Sequence, residues 1–340
     1  MTRIGLIGAG SISETHARAV QAIDGTEIVA VHGGNATRAA RLASIYGGVA
    51  IPDLAAFLNQ PMDLVIIGSP SGLHAEQGIA AAGRGIHVLV EKPLDVTSAR
   101  ADALIDAARR AGVKLGVLFQ DRAQPSFIRL QAALAGGRLG KPLLASARVR
   151  WYRPPEYYRD SRWRGTWTLD GGGALMNQGI HTIDLLLWLL GPIRRVSAVT
   201  ATQLHAIEVE DTALAWLEFA SGAVATFEAT TAAYPGYRRR VELTTTDGTV
   251  ILEHDRVIAA DTRQPYDEPA PQGATDANES ASSPVVSDGR GHQRLVEDFI
   301  TAIDTGRDPC CSGAEGRRSV AVAEAIYQSA RSGRIVEVHG

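Results

Sequence analysis

The sequence predicts an α/β protein: a doubly wound parallel sheet over residues 1–122, then a second α/β domain over 123–340 carrying an antiparallel meander. Three observations carry that reading. Short aliphatic runs alternate with alanine-rich helical patterns through the first 120 positions, and Gly8-Ala9-Gly10 falls where the first run should hand over to the first helix. Beyond residue 122 the alternation gives way to period-two strands joined by short turns such as Ala220-Ser221-Gly222 and Asp247-Gly248.

The aliphatic runs are Ile4–Gly8, Ile28–Val31, Leu64–Ile67, His87–Val90 and Leu115–Leu118. They are continuous rather than alternating, as strands are when helices cover both faces of the sheet. The helical patterns between them are His16–Ile23, Arg38–Tyr46, Ala75–Ala82 and Ala99–Ala111. The second domain opens with a helix from Ser126 to Ala135 and a strand, Leu143–Tyr152. An aromatic and arginine-rich loop follows, then an apolar helix running through Leu190. Strands are expected at Val196–Thr202, Thr212–Phe219, Ala223–Thr231, Val241–Thr246 and Val250–Glu253, with one face wet. Residues 262–290, rich in Pro, Ser, Asp and Ala, read as a long surface loop. Helices over 292–305 and 314–331 and a strand, Arg334–Val338, complete the order, the last helix and strand being placed to pack back towards the first domain.

A chain of 340 residues has enough material for two cores. Apolar residues at 45% and charged residues at 21% are those of a globular protein. The net charge of −3 points away from nucleic acid and from anionic membranes. The longest apolar helix candidate, Leu185–Leu190, falls far short of the ~18 residues a span requires. The apolar stretch at 4–9 is too short for a signal-peptide core, and glycine interrupts it. Cys310 and Cys311 are adjacent, where a disulfide would be strained, so a reducing compartment, the cytoplasm, is expected.

At the glycine loop, Gly8 permits the tight turn, Gly10 lets backbone approach a pyrophosphate, and the N–H groups of Ser11 and Ile12 open a helix whose positive end faces the phosphates. Ser13 replaces the third glycine of the dinucleotide fingerprint. The second strand ends in Val31-His32-Gly33-Gly34-Asn35-Ala36-Thr37-Arg38, without the acid that binds both ribose hydroxyls of NAD. Arg38, helped by Thr37 or Asn35, can pair with a 2′-phosphate, which favours NADP(H) over NAD(H).

Glu91-Lys92-Pro93 follows directly on a strand end, where open α/β sheets bind ligands. Pro93 biases Lys92 away from helical geometry. A lysine held there can hydrogen-bond a substrate hydroxyl and have its pKa tuned. In the second domain, Gly171-Gly172-Gly173 leads to Asn177, His181 and Asp184, whose spacing predicts one polar face on a helix.

Together these motifs resemble the Gfo/Idh/MocA family of oxidoreductases, as do Phe119-Gln120-Asp121-Arg122 and the closing Glu315-Gly316-Arg317-Arg318. The resemblance implies a Rossmann domain followed by an α/β domain with a large, mainly antiparallel open sheet. It implies NAD(P)-linked redox chemistry on sugars, cyclitols and related polyols. The lysine matching Lys92 and the histidine matching His181 would bracket the reacting carbon, His181 as acid/base and Lys92 as the positioning cation. Asn177 stands where the family usually has aspartate, and an amide can orient substrate but cannot exchange protons. The Gly33–Arg38 segment and the pair Trp163-Arg164 resemble NADP-binding members such as glucose–fructose oxidoreductase and anhydrofructose reductase. Ser69, Pro70, His74, Glu91 and Gln120 complete the expected cofactor contacts. Arg122, Tyr152 and His292 join Lys92, Asn177 and His181 as the expected substrate contacts. Homodimers or homotetramers are expected as well. Two other readings compete: an NAD-dependent glycosidase acting by transient oxidation, and a non-catalytic dinucleotide sensor. Retention of Lys92 and His181 weighs against the sensor.

Overall fold

The computed structural model describes residues 1–266 and 289–339, which form two compact units. Most of the long loop expected at 262–290 lies outside the described residues.

The first unit comprises residues 1–123 and 168–171 together with the described stretch 289–317. Its strands are β1 (Thr2–Ile7), β2 (Thr26–His32), β3 (Val49–Ala50), β4 (Leu64–Ile67), β5 (His87–Glu91) and β6 (Leu115–Leu118). They form one parallel six-stranded sheet in the order β3-β2-β1-β4-β5-β6, reversing direction between β1 and β4 as in a doubly wound fold. Every residue of β4 and β6 is buried, which is why these strands read as unbroken aliphatic runs. Leu6, Leu64, Ile66, Leu89 and Leu118 form the core with Phe299, from the helix Arg290–Thr305. Each such side chain contributes roughly 1.5–3 kcal/mol by burial. The helices α1 (Ser11–Gln21), α2 (Ala36–Tyr46), α4 (His74–Ala82) and α5 (Ser98–Ala111) follow the expected patterns. Neither β3 nor the short α3 (Leu54–Leu58) was expected, since two and five residues are too few to establish a period.

The second unit is built on an eight-stranded sheet. The strands are β7 (Pro142–Arg150), β8 (Ile193–Ala201), β9 (Thr212–Phe219), β10 (Val224–Thr230), β11 (Arg240–Thr245), β12 (Gly248–Glu253), β13 (Arg256–Thr262) and β14 (Val336–Glu337). Their order is β13-β12-β11-β7-β10-β9-β8-β14. The meander needs one correction: β7 runs parallel to β10, while the other neighbours are antiparallel. The strand β13 was missed because only Val257 in it is buried, so its alternation is faint. In β9, Ala213, Ala215, Leu217 and Phe219 are buried, whereas Leu214 is exposed on the opposite face. The apolar helix α7 (Ile180–Leu190) covers the buried face next to β7, with α6 (Pro125–Ala135) against it.

Candidate active site

Gly8 sits at φ +115°, and a Cβ there would lie 2.5 Å from the Gly68 carbonyl oxygen, so only glycine fits this turn. Gly10 is the N-cap of α1 and brings no capping side chain. A Cβ at Gly10 would meet nothing within 4 Å, so the approach to the helix start is open. Ser13, the departure from the fingerprint, is buried with its hydroxyl lacking a partner. An uncapped helix start, an open side and an orphan hydroxyl are what a dinucleotide pyrophosphate would satisfy. The loop residues therefore fit the expected cofactor.

The remaining cofactor candidates of this unit follow the carboxyl ends of parallel strands: Gly33 after β2, Ser69 and Pro70 after β4, Lys92 after β5 and Gln120 after β6. A Cβ on Gly33 would come within 3.0 Å of the Ala9 methyl, so the end of β2 closes on the glycine loop. Asn35 has a role that sequence reasoning missed: its side chain caps α2 by accepting from the Arg38 N–H at 3.0 Å. Arg38 itself is exposed on the first turn. Ser69 donates to Gln77 at 2.6 Å. The buried His74 ties two loops together, with Nδ1 at 2.9 Å from the Pro93 carbonyl and Nε2 at 2.9 Å from that of Ser69. A neutral ring can donate to only one of them. Burial lowers the His74 pKa, against the pull of those two carbonyls and of Asp95 and Glu91.

Glu91, the last residue of β5, is buried in a cluster the sequence did not reveal. His16 Nε2 of α1 lies 3.0 Å from its Oε1, and His292 Nε2 lies 3.5 Å from the same oxygen. Its other oxygen accepts from the Lys92 N–H at 3.1 Å. Burial pushes the Glu91 carboxyl up, but His292, His16 and Lys92 more than offset it and hold the group below the usual range. Burial pushes His16 down to about 4 against the attraction of Glu91, with the neighbouring His292 ring adding to the lowering. The pair is therefore a carboxylate and a neutral imidazole at pH 7. These three side chains are the group among the described residues whose ligand atoms, all within 4.8 Å of one another, could hold a metal. The His16 Nε2 to Glu91 Oε1 separation of 3.0 Å is also hydrogen-bond distance. His292, expected among the substrate contacts, is thus 3% exposed and turned to Glu91. Arg122, expected there too, is likewise buried, with NH1 2.7 Å from Glu315 and also donating to the Cys310 carbonyl. Gln120 follows on a short turn, its buried Oε1 without a partner.

In the second unit, Tyr152 is half-buried, edge-on to Tyr234 at 5.2 Å. Arg164 stacks 4.2 Å above the Tyr157 ring and 5.2 Å from the Trp163 ring, while Gln178 donates to the Tyr157 hydroxyl at 3.3 Å. The polar helical face needs correction. Residues Ala174–Gly179 form a π turn, and the α-helix starts only at Ile180. Asn177 therefore stands a wider turn away from His181 than a continuous α-helix would place it. Asp184 leaves the set: it is buried, with the Ser319 hydroxyl at 3.3 Å. Asn177 and His181 are both half-buried.

The start of this segment is held by Glu210, which sequence reasoning also missed. Its carboxylate accepts from the Leu175 N–H at 2.8 Å, the Gly173 N–H at 3.1 Å and the Tyr327 hydroxyl at 3.1 Å. A Cβ on Gly173 would fall on the Glu210 carbonyl oxygen, so the last of the three glycines serves this close approach. Burial raises the Glu210 carboxyl to about 7 against those donors.

Residues 2–119 match the oxidoreductase family with an NAD-binding Rossmann fold, and residues 127–251 match the GFO/IDH/MocA C-terminal domain. A 1,5-anhydro-D-fructose reductase from Ensifer adhaerens is 28% identical, covering 99% of this chain and 99% of the relative. An inositol 2-dehydrogenase from Acidothermus cellulolyticus is 32% identical over 75% of this chain and 74% of the relative. Among solved structures, the WlbA dehydrogenase from Bordetella pertussis, in complex with NADH and UDP-GlcNAcA, matches with a TM-score of 0.90 at 32% identity. That match covers 100% of this chain and 98% of that one. Levoglucosan dehydrogenase, in complex with NADH and levoglucosan, matches with a TM-score of 0.86 at 25% identity over 99% of each chain.

Proposed function

Because the chain belongs to the GFO/IDH/MocA family of NAD(P)-binding oxidoreductases, we propose that it is a dehydrogenase or reductase of a sugar, cyclitol or sugar derivative. The reaction would interconvert a hydroxyl-bearing and a carbonyl carbon. The observation that carries the reading is the single sheet edge on which an open, uncapped helix start and the Glu91-Lys92-Pro93 corner stand together. The nicotinamide, when bound, supplies the hydride chemistry. The chain's part is to orient the substrate and to move one proton. Lys92 holds the substrate hydroxyl and favours its ionisation. His181 accepts that proton in oxidation and returns it in reduction. Asn177 orients the sugar without exchanging protons. The helix start at Ser11–Ser13 binds the pyrophosphate.

The missing acid after β2 and the exposed Arg38 favour NADP(H), with NAD(H) the lesser partner. Screening sugars, polyols, lactones and sugar nucleotides by nicotinamide absorbance, with each cofactor in parallel, tests both parts. Arg38→Ala is expected to weaken NADP(H) about tenfold or more, as the loss of a charge-assisted contact does, and to leave NAD(H) nearly unchanged. Equal losses would make Arg38 a surface residue. Turnover of no sugar or polyol with either cofactor would overturn the proposal. The exposed Leu144, Val199 and Leu214 on the eight-stranded sheet support self-association as a homodimer or homotetramer, measurable by light scattering. The adjacent free Cys310 and Cys311 support a reducing compartment, the cytoplasm.

A further inference from the structure

Glu210 is a buried carboxylate with no place in the proton chemistry proposed above, yet it meets the segment that carries Asn177 and His181. Oε1 accepts from the Leu175 N–H and the Tyr327 hydroxyl, and both oxygens lie within 3.2 Å of the Gly173 N–H. The backbone continues the link, since the Asn177 N–H donates to the Gly173 carbonyl at 2.9 Å and the Ala174 N–H to the Glu210 carbonyl at 3.1 Å. We propose that Glu210, steadied by Tyr327, is a positioning residue whose ionised carboxylate caps the start of the Ala174–Leu190 helical segment and so sets Asn177 and His181 for catalysis.

Protonation undoes the cap for a geometric reason. The Gly173 N–H lies between the two oxygens, 3.2 and 3.1 Å away, and Oε1 also serves Leu175 and Tyr327, so a proton added to Oε2 competes with that N–H and weakens the cap. The helix start then loses a negative charge at its positive end. Burial against backbone and hydroxyl donors puts this proton near neutral pH, at about 7. The Ala174–Gly179 turn carries no titratable residue. The helix Gly313–Ser332 offers Tyr327, whose ring is edge-on to Trp167 at 5.1 Å. The neighbouring Asp211 spends its oxygens on the N–H groups of Gln203, Leu204 and His205 and the Thr212 hydroxyl.

The inference rests on the roles proposed for Asn177 and His181, so its test includes a readout independent of turnover. In the 15N-labelled full chain, the Gly173 and Leu175 amide resonances are followed from about pH 5 to 9. They are expected to titrate together near 7 in the wild type, at a higher midpoint in Tyr327→Phe, which loses a donor to the carboxylate, and not at all in Glu210→Gln. Wild-type turnover should rise about tenfold from pH 6 to 8 on this step, with the step displaced upward in Tyr327→Phe. Should Glu210→Gln fail to fold, Tyr327→Phe decides. Silent amides, or a midpoint that Tyr327→Phe leaves in place, overturn the cap. So does an amide titration with no matching step in turnover. Titrating amides without turnover of any sugar would instead count against the proposed reaction and leave the cap's geometry standing.

Discussion

Two buried carboxylates, one in each unit, hold the turn beside a candidate catalytic residue, and they are solvated in opposite ways. Glu91 precedes Lys92 and is surrounded by His16, His292 and the lysine, so it stays ionised in spite of its burial. Glu210 meets the segment leading to Asn177 and His181 and is surrounded by two backbone N–H groups and a phenol, so burial prevails and its pKa rises to about 7. Burial alone therefore does not set a carboxyl's charge. The partners of Glu91 offset its desolvation, whereas the backbone and hydroxyl donors around Glu210 only reduce it.

The largest expected effect that would sharpen this comparison is on stability. Glu91→Gln removes a charge the cluster is built around and should cost about 3 kcal/mol. Glu210→Gln keeps an acceptor where the charge is half lost at neutral pH, and should cost about 1 kcal/mol. Urea unfolding midpoints at pH 7 measure both, and equal costs would break the distinction. Next come the residues these carboxylates serve: Lys92→Ala and His181→Ala are each expected to lower turnover roughly 10²-fold. Unchanged turnover in both variants would remove the two corners from the chemistry.

The subtlest effect is in the pH dependence of stability, where the two regions have opposite signs. His16 has a folded pKa of about 4, below its unfolded value, so its contribution is full above pH 6.5 and is lost as pH falls through 4. Glu91, held low, adds in the same direction. Glu210 has a folded pKa of about 7, above its unfolded value, so its contribution is full below pH 4.5 and is lost as pH rises through 7. His16 and Glu210 are each worth on the order of 3 kcal/mol, and they oppose each other between those limits. Wild-type stability should be nearly flat there, rising with pH in Glu210→Gln and falling with pH in His16→Gln. Parallel profiles for the two variants would contradict the assignment.

Much of the first unit was legible because its information is local. Gly8, Gly10 and the Glu91-Lys92-Pro93 corner are contiguous with the strands that place them, and continuous aliphatic runs betray burial on both faces. The clusters were not legible. His16, Glu91 and His292 come from distant parts of the chain, and His292, expected as a substrate contact, is buried against Glu91. The π turn at Ala174–Gly179 broke the expected Asn177–His181–Asp184 face, since its wider hydrogen bonding leaves no mark in residue spacing. Asn35, expected to help Arg38 meet a 2′-phosphate, is also a helix cap, two uses of the same short polar side chain.

The sequence by itself determined the parallel architecture of the first unit and the glycine turn after its first strand, because both depend on residue type at near-neighbour spacing. Only the tertiary structure decided which buried groups carry charge. Ionisation depends on the balance between desolvation and the donors that the fold brings from far along the chain, and that balance has no signature in one dimension.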